Sequence, residues 1–89
     1  MNSVTTIKFR KCYSELPAHI QDLAKKSYKL WKEHPRHTSL QFKQIHKTQT
    51  IYSVRISLSY RALGVLQNKT MVWFWIGSHA EYDEMISKF

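Results

Sequence analysis

Apolar side chains recur at intervals of three to four residues between positions 17 and 33, and lysines and other polar residues fill the intervening positions. This spacing places the apolar residues on one face of a helix, whose period is about 3.6 residues. Pro17 suits the first helical turn, where no amide hydrogen bond is needed, and Pro35 prevents the helix from continuing. The pattern predicts an amphipathic helix over residues 17–33. Its inward face holds Ile20, Leu23, Ala24, Ser27, Leu30 and Trp31.

Beyond Leu40 the sequence changes to short runs rich in β-branched and aromatic residues, which favour strands. Polar breaks of a few residues separate neighbouring runs, and connections this short join antiparallel strands. We therefore predict a four-stranded antiparallel meander. Its strands cover residues 41–46, 51–58, 60–67 and 70–76.

The two ends of the chain each supply one more element. Residues 4–13 alternate loosely, with Ile7 and Phe9 on one side, which predicts an N-terminal strand. Ser78 suits the N-cap of a short final helix, and a connector at residues 34–39 has room for a second short helix. The predicted fold is α+β in one domain over residues 1–89. An N-terminal strand and one or two helices pack on a four-stranded antiparallel sheet, and a short C-terminal helix follows.

A helix packed on one face of an antiparallel sheet leaves the opposite face for another use. In the second predicted strand of the meander, Val54 and Arg55 have opposite parity, so Arg55 is expected on the face away from the helix. Arg61 is ambiguous, because it shares its parity with Leu63 and Val65 and the sequence shows no bulge that would resolve the conflict.

The chain is strongly basic, with fourteen Lys and Arg against six Asp and Glu and a net charge of +8. Its last segment is acidic on balance, since Glu81, Asp83 and Glu84 are opposed there only by Lys88. A basic field attracts phosphate backbones, anionic membranes or an acidic protein partner, and charge alone does not choose among them. With 89 residues, 43% of them hydrophobic, the chain can build one core and no second domain.

Several classes of protein are disfavoured by the sequence. Cys12 is the only cysteine, so no intrachain disulfide is expected. The N-terminal residues lack the apolar segment of a signal peptide, and the longest apolar run, residues 71–76, is too short to span a bilayer. With one cysteine and scattered histidines, neither a metal site nor a cofactor is expected. We expect a soluble, cytoplasmic protein with no membrane partner.

Two blocks of the sequence closely resemble the RelE/ParE toxin superfamily. The first joins residues 52–56 (YSVRI) to residues 60–65 (YRALGV), and the second is residues 73–83 (WFWIGSHAEYD). The helix entry at Leu16 and Pro17 and the segment 35–43 (PRHTSLQFK) also fit, so the resemblance covers nearly the whole chain. By this resemblance the chain is identified as a RelE/HigB-like toxin of a type II toxin–antitoxin system.

The resemblance implies a function as well as a fold. It implies a cognate antitoxin as partner and, as in RelE-like and HigB-like members, an endoribonuclease that cuts mRNA on the ribosome by metal-independent attack of the 2′-OH. ParE-like members instead poison DNA gyrase, so the fold alone does not decide the activity. A decayed toxin that only binds its antitoxin is a third reading. We predict the mRNA endonuclease, acting without a cofactor, with the ribosome and mRNA as further partners.

Metal-free RNA cleavage needs proton transfer at the 2′-OH and cations at the phosphate. Carried over by motif, the resemblance points to His79, Arg55, Arg61 and Tyr82 as catalytic residues. His79 is the expected acid or base, because imidazole titrates near neutral pH. The two arginines are expected to clamp the phosphate. Tyr82 is expected to stack on a base or bond the phosphate, although it equally suits packing of the last helix on the sheet.

Further basic residues extend this site. Lys43, His46 and Arg36 are expected to contact RNA, and Asp83 or Glu81 is expected to orient His79. Alternatively, the strand arginines are ordinary exposed charges or contacts to the antitoxin. The lysines of the long helix are expected to form a solvated face that also touches ribosomal RNA.

Overall fold

The computed structural model describes residues 2–89 and places five strands, three α-helices and one short 3-10 turn in them. The elements in chain order are β1 Asn2–Thr5, α1 Ile7–Ser14, α2 Ala18–Glu33, the 3-10 turn Thr38–Leu40, β2 Lys43–Gln44, β3 Ile51–Ser57, β4 Tyr60–Gln67, β5 Thr70–Ser78 and α3 His79–Ile86.

The strands form one sheet in the order β1-β5-β4-β3-β2. The predicted antiparallel meander is confirmed as β2 to β5, and the predicted long helix is confirmed as α2. A fifth strand is added because β1 pairs in parallel with β5, where Asn2 lies opposite Thr70 and Thr5 opposite Trp73. Strand β2 is shorter than predicted, because Gln41 takes a left-handed conformation with φ 45° and turns the chain first.

The predicted strand over residues 4–13 is wrong beyond Thr5, because α1 begins there. Thr6 caps this helix, since its side chain accepts a hydrogen bond of 3.0 Å from the backbone N–H of Phe9. Ile7, which seemed to alternate with Phe9 as in a strand, is 79% exposed. Phe9, Cys12 and Leu16 instead pack on the core at three-to-four spacing. The helical period therefore overrides an alternation only two residues long.

The larger core lies between α2 and one face of the sheet. Ala24 and Trp31 of α2 pack there with Val54, Ala62 and Trp73 of the central strands. The rings of Trp31 and Trp73 meet edge to face, with centroids 5.2 Å apart. This geometry is favourable for aromatic pairs, so the contact fixes the helix on the sheet.

The second face of the sheet carries a smaller cluster beneath α3. Leu63 of β4, Trp75 of β5 and Tyr82 of α3 are all buried in it. A bulge in β5 makes this possible: Leu63 pairs with Trp75 and Gly64 with Trp73, so Phe74 has no partner. The bulge sends Trp73 and Trp75 to opposite faces, although residues two apart in a regular strand share a face.

This second cluster resolves the parity of Arg61. Arg61 shares its face with Leu63, but that face is the one under α3 and away from α2. No bulge is needed between these two residues, because both sheet faces are partly covered. The predicted position of Arg55 away from the long helix is consistent with this, since Arg55 pairs directly with Arg61.

Candidate functional site

Two arginines lie side by side on the sheet face that carries α3. Arg55 of β3 and Arg61 of β4 are cross-strand partners, so their side chains leave the sheet on the same side. Nη1 of Arg61 donates hydrogen bonds to the carbonyl oxygens of Ser57 at 2.5 Å and of Tyr60 at 3.0 Å. The turn between β3 and β4 therefore holds the Arg61 guanidinium in place.

The surroundings of Arg61 affect its proton affinity. Partial burial lowers the pKa of Arg61, and the neighbouring charge of Arg55 lowers it further, while Tyr82 and Asp83 act in the opposite direction. A guanidinium titrates so far above neutral pH that Arg61 stays charged. Two cations held together repel each other, and an anion that bridges them relieves this repulsion. The pair is suited to a phosphate.

His79 is the first residue of α3 and is held by the same turn that holds Arg61. Its backbone N–H donates to the carbonyl oxygen of Ser59 at 2.7 Å. Ser78 caps the helix as predicted, and Glu81 completes a capping box by accepting from the Ser78 backbone N–H at 3.2 Å. The end of β5, the turn and the start of α3 thus fix the backbone of His79.

The imidazole of His79 bonds to a carboxylate one helical turn later. Nδ1 of His79 lies 3.0 Å from Oδ2 of Asp83. A carboxylate only accepts hydrogen bonds, so Nδ1 carries the proton and Nε2 is left for another partner. The side chains of His79 and Asp83 are 43% and 60% exposed, so a substrate can reach them. Asp83 therefore takes the orienting position, whereas Glu81 is occupied by the cap.

Tyr82 connects this exposed pair with the small core. Tyr82 is buried, with 7% of its surface exposed, and its ring meets the His79 ring at an interplanar angle of 66° with centroids 5.7 Å apart. Trp75 packs in the same cluster and lies across Gly77, where an added Cβ would come within 2.5 Å of its Cζ2. Gly77 is the cross-strand partner of Arg61. The aromatic rings therefore form the floor of the site.

The remaining predicted residues divide between near and far positions. Lys43 is exposed on β2 and pairs with Ser53, which places it on the sheet face of Arg55. His46 lies elsewhere, because its Nδ1 accepts from the backbone N–H of Gln49 at 3.0 Å and its ring faces Phe89 beyond the far end of α3. Since α3 has eight residues, about 12 Å of helix separates that end from His79.

Arg36 does not join the other predicted residues. Its guanidinium lies over the ring of Phe42, 5.8 Å from the centroid. Phe42 packs against Trp31 on the α2 face of the sheet. The structure thus brings together Arg55, Arg61, His79 and Tyr82, with Lys43 on the same face, and leaves His46 and Arg36 apart.

Sequence reasoning missed the backbone groups that hold the site. The carbonyls of Ser57 and Ser59 fix Arg61 and His79, and Gly77 leaves room for Trp75 beside them. The available signals were the short break between two strand patterns and a glycine directly before the predicted cap. Neither signal names the group that a turn carbonyl will bind.

Residues 2–89 contain neither a cluster of metal ligands nor a membrane-spanning helix. No three His, Cys, Asp or Glu residues come close enough there to hold a metal ion. In the same part of the chain, no helix has the length and apolar character needed to cross a membrane.

Comparison with known proteins adds a family to this geometry. The sequence model of the ParE-like toxin domain matches residues 18–84. No functionally curated protein matches the chain.

Solved structures of similar fold include toxins of toxin–antitoxin systems. The RelB-RelE antitoxin-toxin complex from Methanococcus jannaschii has 16% identity and a TM-score of 0.74, covering 92% of this chain and 96% of that chain. The E. coli DinJ-YafQ toxin-antitoxin complex has 10% identity and a TM-score of 0.73, covering 90% and 93%. The YoeB/ParE toxin from Agrobacterium tumefaciens has 14% identity and a TM-score of 0.70, covering 89% and 99%. At such identities the likeness concerns the fold alone.

Proposed function

The chain belongs to the family of ParE-like toxin domains, and from that premise we propose that it is the toxin of a type II toxin–antitoxin pair that acts as a ribosome-dependent mRNA endonuclease. The observation that carries the proposal is the His79–Asp83 pair, with its 3.0 Å contact, on the sheet face that also presents Arg55 and Arg61. An oriented imidazole supplies a group for proton transfer, and paired guanidiniums supply positive charge at the phosphate, which are what metal-free phosphodiester cleavage uses.

The proposed reaction needs no group beyond the RNA and the protein. The 2′-oxygen of one nucleotide attacks the adjacent phosphorus, and its proton passes to a base. The bond from phosphorus to the 5′-oxygen breaks, and that oxygen receives a proton, which leaves a 2′,3′-cyclic phosphate and a 5′-hydroxyl. His79, through Nε2, carries out one of the two proton transfers, with Asp83 holding the ring. Arg55 and Arg61 stabilise the charge on the pentacoordinate phosphate.

The aromatic and outer basic residues have supporting roles in this proposal. Tyr82 is buried under His79, so it supports the imidazole instead of stacking on an exposed base. Lys43 contacts the RNA backbone near Arg55 and Arg61. His46 and Arg36 contact RNA or the ribosome at positions farther from these two arginines. The target is mRNA held on the ribosome in the cytoplasm, and the site is proposed to work without a cofactor.

The proposed protein partner is a cognate antitoxin. Two of the structural relatives are complexes of a toxin with its antitoxin. This chain has the same fold and a net charge of +8, so an acidic partner suits it.

The test is brief induction of the chain in bacteria with mRNA 5′-ends mapped within minutes. We expect new ends inside translated codons for the natural chain, and a loss of cleavage on the order of 10²–10⁴-fold for His79→Ala. His19→Ala is the matched control, because His19 is an exposed histidine near the start of α2. Cleavage that persists in His79→Ala would remove the imidazole from the mechanism.

A gyrase poison is the second candidate, favoured by the family description itself, which names a ParE-like domain. Growth arrest with intact mRNA and with gyrase-linked DNA breaks would select it. Absence of arrest would instead leave a protein that only binds an antitoxin.

A further inference from the structure

A shallow cleft of about 350 Å³ opens where β2 turns toward β3. Four residues line it within the described part of the chain, and none of them is a carboxylate: Gln44, Ile45, His46 and Lys47. Ile45 packs against the small cluster under α3, as do Met85 and Ile86 from the last turn of that helix. The cleft therefore lies on the α3 side of the sheet, at the opposite end of α3 from His79.

Side chains of the loop between β2 and β3 hold the cleft in one shape. Nε2 of Gln44 donates to the carbonyl oxygens of His46 at 3.0 Å and of Gln49 at 2.9 Å. Nδ1 of His46 accepts from the backbone N–H groups of Thr48 at 3.2 Å and of Gln49 at 3.0 Å. These bonds close the loop on itself, so a ligand loses little free energy in ordering it.

The same bonds determine which nitrogen of His46 faces a ligand. Because Nδ1 accepts hydrogen bonds from the loop, the neutral ring carries its proton on Nε2. His79 is the reverse case, since its Nδ1 donates to Asp83 and its Nε2 is free to accept. His46 therefore presents a hydrogen-bond donor, which suits it to recognise a ligand and not to remove a proton.

An aromatic ring stands beside this donor. Phe89 is 45% exposed, and its ring meets that of His46 at an interplanar angle of 63° with centroids 6.5 Å apart. The backbone N–H of Phe89 donates to the carbonyl oxygen of Ile86 at 3.2 Å, which ties the residue to the end of α3. An exposed aromatic face beside a donor binds a nucleobase of single-stranded RNA, by stacking and by a hydrogen bond to the base edge.

The cleft and the paired arginines lie along one strand of the sheet. Lys43 lies opposite Ser53, two residues from Arg55 along β3. Ile45 of the cleft donates its backbone N–H to the carbonyl oxygen of Ile51 at 2.9 Å, two residues farther along. The eight residues of α3 span about 12 Å, which is roughly three to four nucleotides at the stacked spacing of about 3.4 Å and fewer in an extended strand. A short RNA segment can therefore reach from the arginines, past Lys43, to the cleft.

We propose that this cleft is a second subsite for the RNA strand, which binds one nucleobase a few nucleotides from the bond that is cut. The base stacks on Phe89 and accepts a hydrogen bond from Nε2 of His46, and Lys43 and Lys47 neutralise the adjoining phosphates. The inference rests on the proposed function, which makes RNA the substrate. It adds a source of sequence preference, because bases differ in the acceptors at their edges.

The experiment compares the bases around mapped cut sites for the natural chain and two variants. Phe89→Ala removes the stacking face. His46→Asn removes only the Nε2–H donor, because the side-chain oxygen of asparagine can accept from the loop N–H groups as Nδ1 does.

Each chain is induced briefly in bacteria, and mRNA 5′-ends are mapped. The natural chain should favour one base at one position a few nucleotides from the cut. The ratio of cuts with that base to cuts with the other bases should fall about tenfold in Phe89→Ala and about threefold in His46→Asn.

Two control variants remove an apolar side chain and an imidazole elsewhere. Ile7 is 79% exposed on α1, and His19 is exposed near the start of α2. Ile7→Ala and His19→Asn should leave the base preference within about twofold of the natural one. Phe89 and His46 are both partly exposed, so their variants should fold, and circular dichroism establishes this for every chain.

The contrary results are distinct from one another. An unchanged base preference in folded Phe89→Ala and His46→Asn would overturn the subsite, and so would a natural chain that cuts without any base preference near the cut. A uniform fall in cleavage at all sites would mean that the cleft contacts the ribosome and not the strand. All of these results leave the proposed RNase standing, because the natural chain still cleaves. Intact mRNA after induction of the natural chain would instead defeat the RNase, and the subsite with it.

Discussion

The two faces of the sheet carry different kinds of side chain. The face under α2 holds the larger core, in which buried Trp31 and Trp73 meet edge to face. The face under α3 has a small cluster around Leu63, and the charged groups beside it are partly exposed. The short helix α3 covers only part of this face.

This difference separates stability from chemistry. Apolar burial on the α2 face supplies most of the hydrophobic free energy of folding. The α3 face keeps its charged groups near water, where they cost little free energy to hold and are open to the proposed RNA substrate. We therefore expect substitutions on the two faces to move two different measurements, the free energy of unfolding and the rate of cleavage.

Among the substitutions that compare the two faces, removal of the Arg61 guanidinium should have the largest effect. Arg61→Ala is expected to lower mRNA cleavage about 10²–10³-fold, because a preorganised cation at the phosphate is lost. The free energy of unfolding should change by less than about 1 kcal/mol, because Arg61 is partly exposed and its guanidinium bonds to carbonyl oxygens of the adjacent turn. Primer extension on a translated message measures the cleavage.

Arg10→Ala is the control for the arginine substitution. Arg10 is exposed and bonds to Thr5 on the other side of the molecule, so cleavage should stay within about twofold of the natural rate. Equal losses in both variants would mean that total charge, and not the placement of Arg61, drives activity.

The two glycines give a direct comparison of the faces. In Gly64→Ala the new Cβ meets Cε3 of Trp73 at 2.6 Å, and in Gly77→Ala it meets Cζ2 of Trp75 at 2.5 Å. Both rings are buried and cannot move freely, so each substitution should destabilise the fold by about 1–3 kcal/mol. Only Gly77→Ala should also reduce cleavage per folded molecule, since Trp75 lies beside Arg61.

Chemical denaturation and the cleavage assay together measure this pair of variants. If cleavage, corrected for the folded fraction, falls equally in Gly64→Ala and Gly77→Ala, then the expectation that only the α3 face affects cleavage is wrong.

Local patterns explain how much of the fold could be predicted. Helix α2, strands β3 to β5 and the Ser78 cap follow from periodicity and capping, which act within a few residues. The N-terminal region did not follow, because its strand depends on parallel pairing with β5 at the other end of the chain. There Thr6 begins a helix where a weak alternation had indicated more strand.

The site shows the same limit. Parity placed Arg55 correctly, but the face of Arg61 depended on what covers the sheet beyond α2, which no parity argument reveals. The bulge at Phe74 turns Trp75 toward the α3 face, and no pattern in the sequence predicts it. Arg36 packs on Phe42 because the connector folds back to the α2 side, and that path depends on tertiary contacts.

The orienting carboxylate should have a moderate effect on activity. Asp83→Asn keeps the shape of the side chain but lets the imidazole of His79 rotate and change tautomer. Because the pair is partly exposed, cleavage should fall about tenfold, far less than for a buried dyad. In a His79→Ala background the same change should have no effect, because the group that Asp83 positions is gone. An effect of equal size in both backgrounds would show that Asp83 acts independently of His79.

The smallest expected effect is the contribution of this same pair to stability. His79 and Asp83 are four residues apart on α3, with side chains 43% and 60% exposed. Solvent screens such a pair, so a double-mutant cycle of His79→Ala and Asp83→Asn in urea should give a coupling of about 0.3–0.5 kcal/mol. A coupling above about 1.5 kcal/mol would mean that the pair contributes to stability as a core contact does. It would contradict the expectation that the α2 face determines stability and the α3 face the rate of cleavage. A contact that changes the rate of cleavage about tenfold but contributes little to the free energy of unfolding is expected on the α3 face, which is only partly covered.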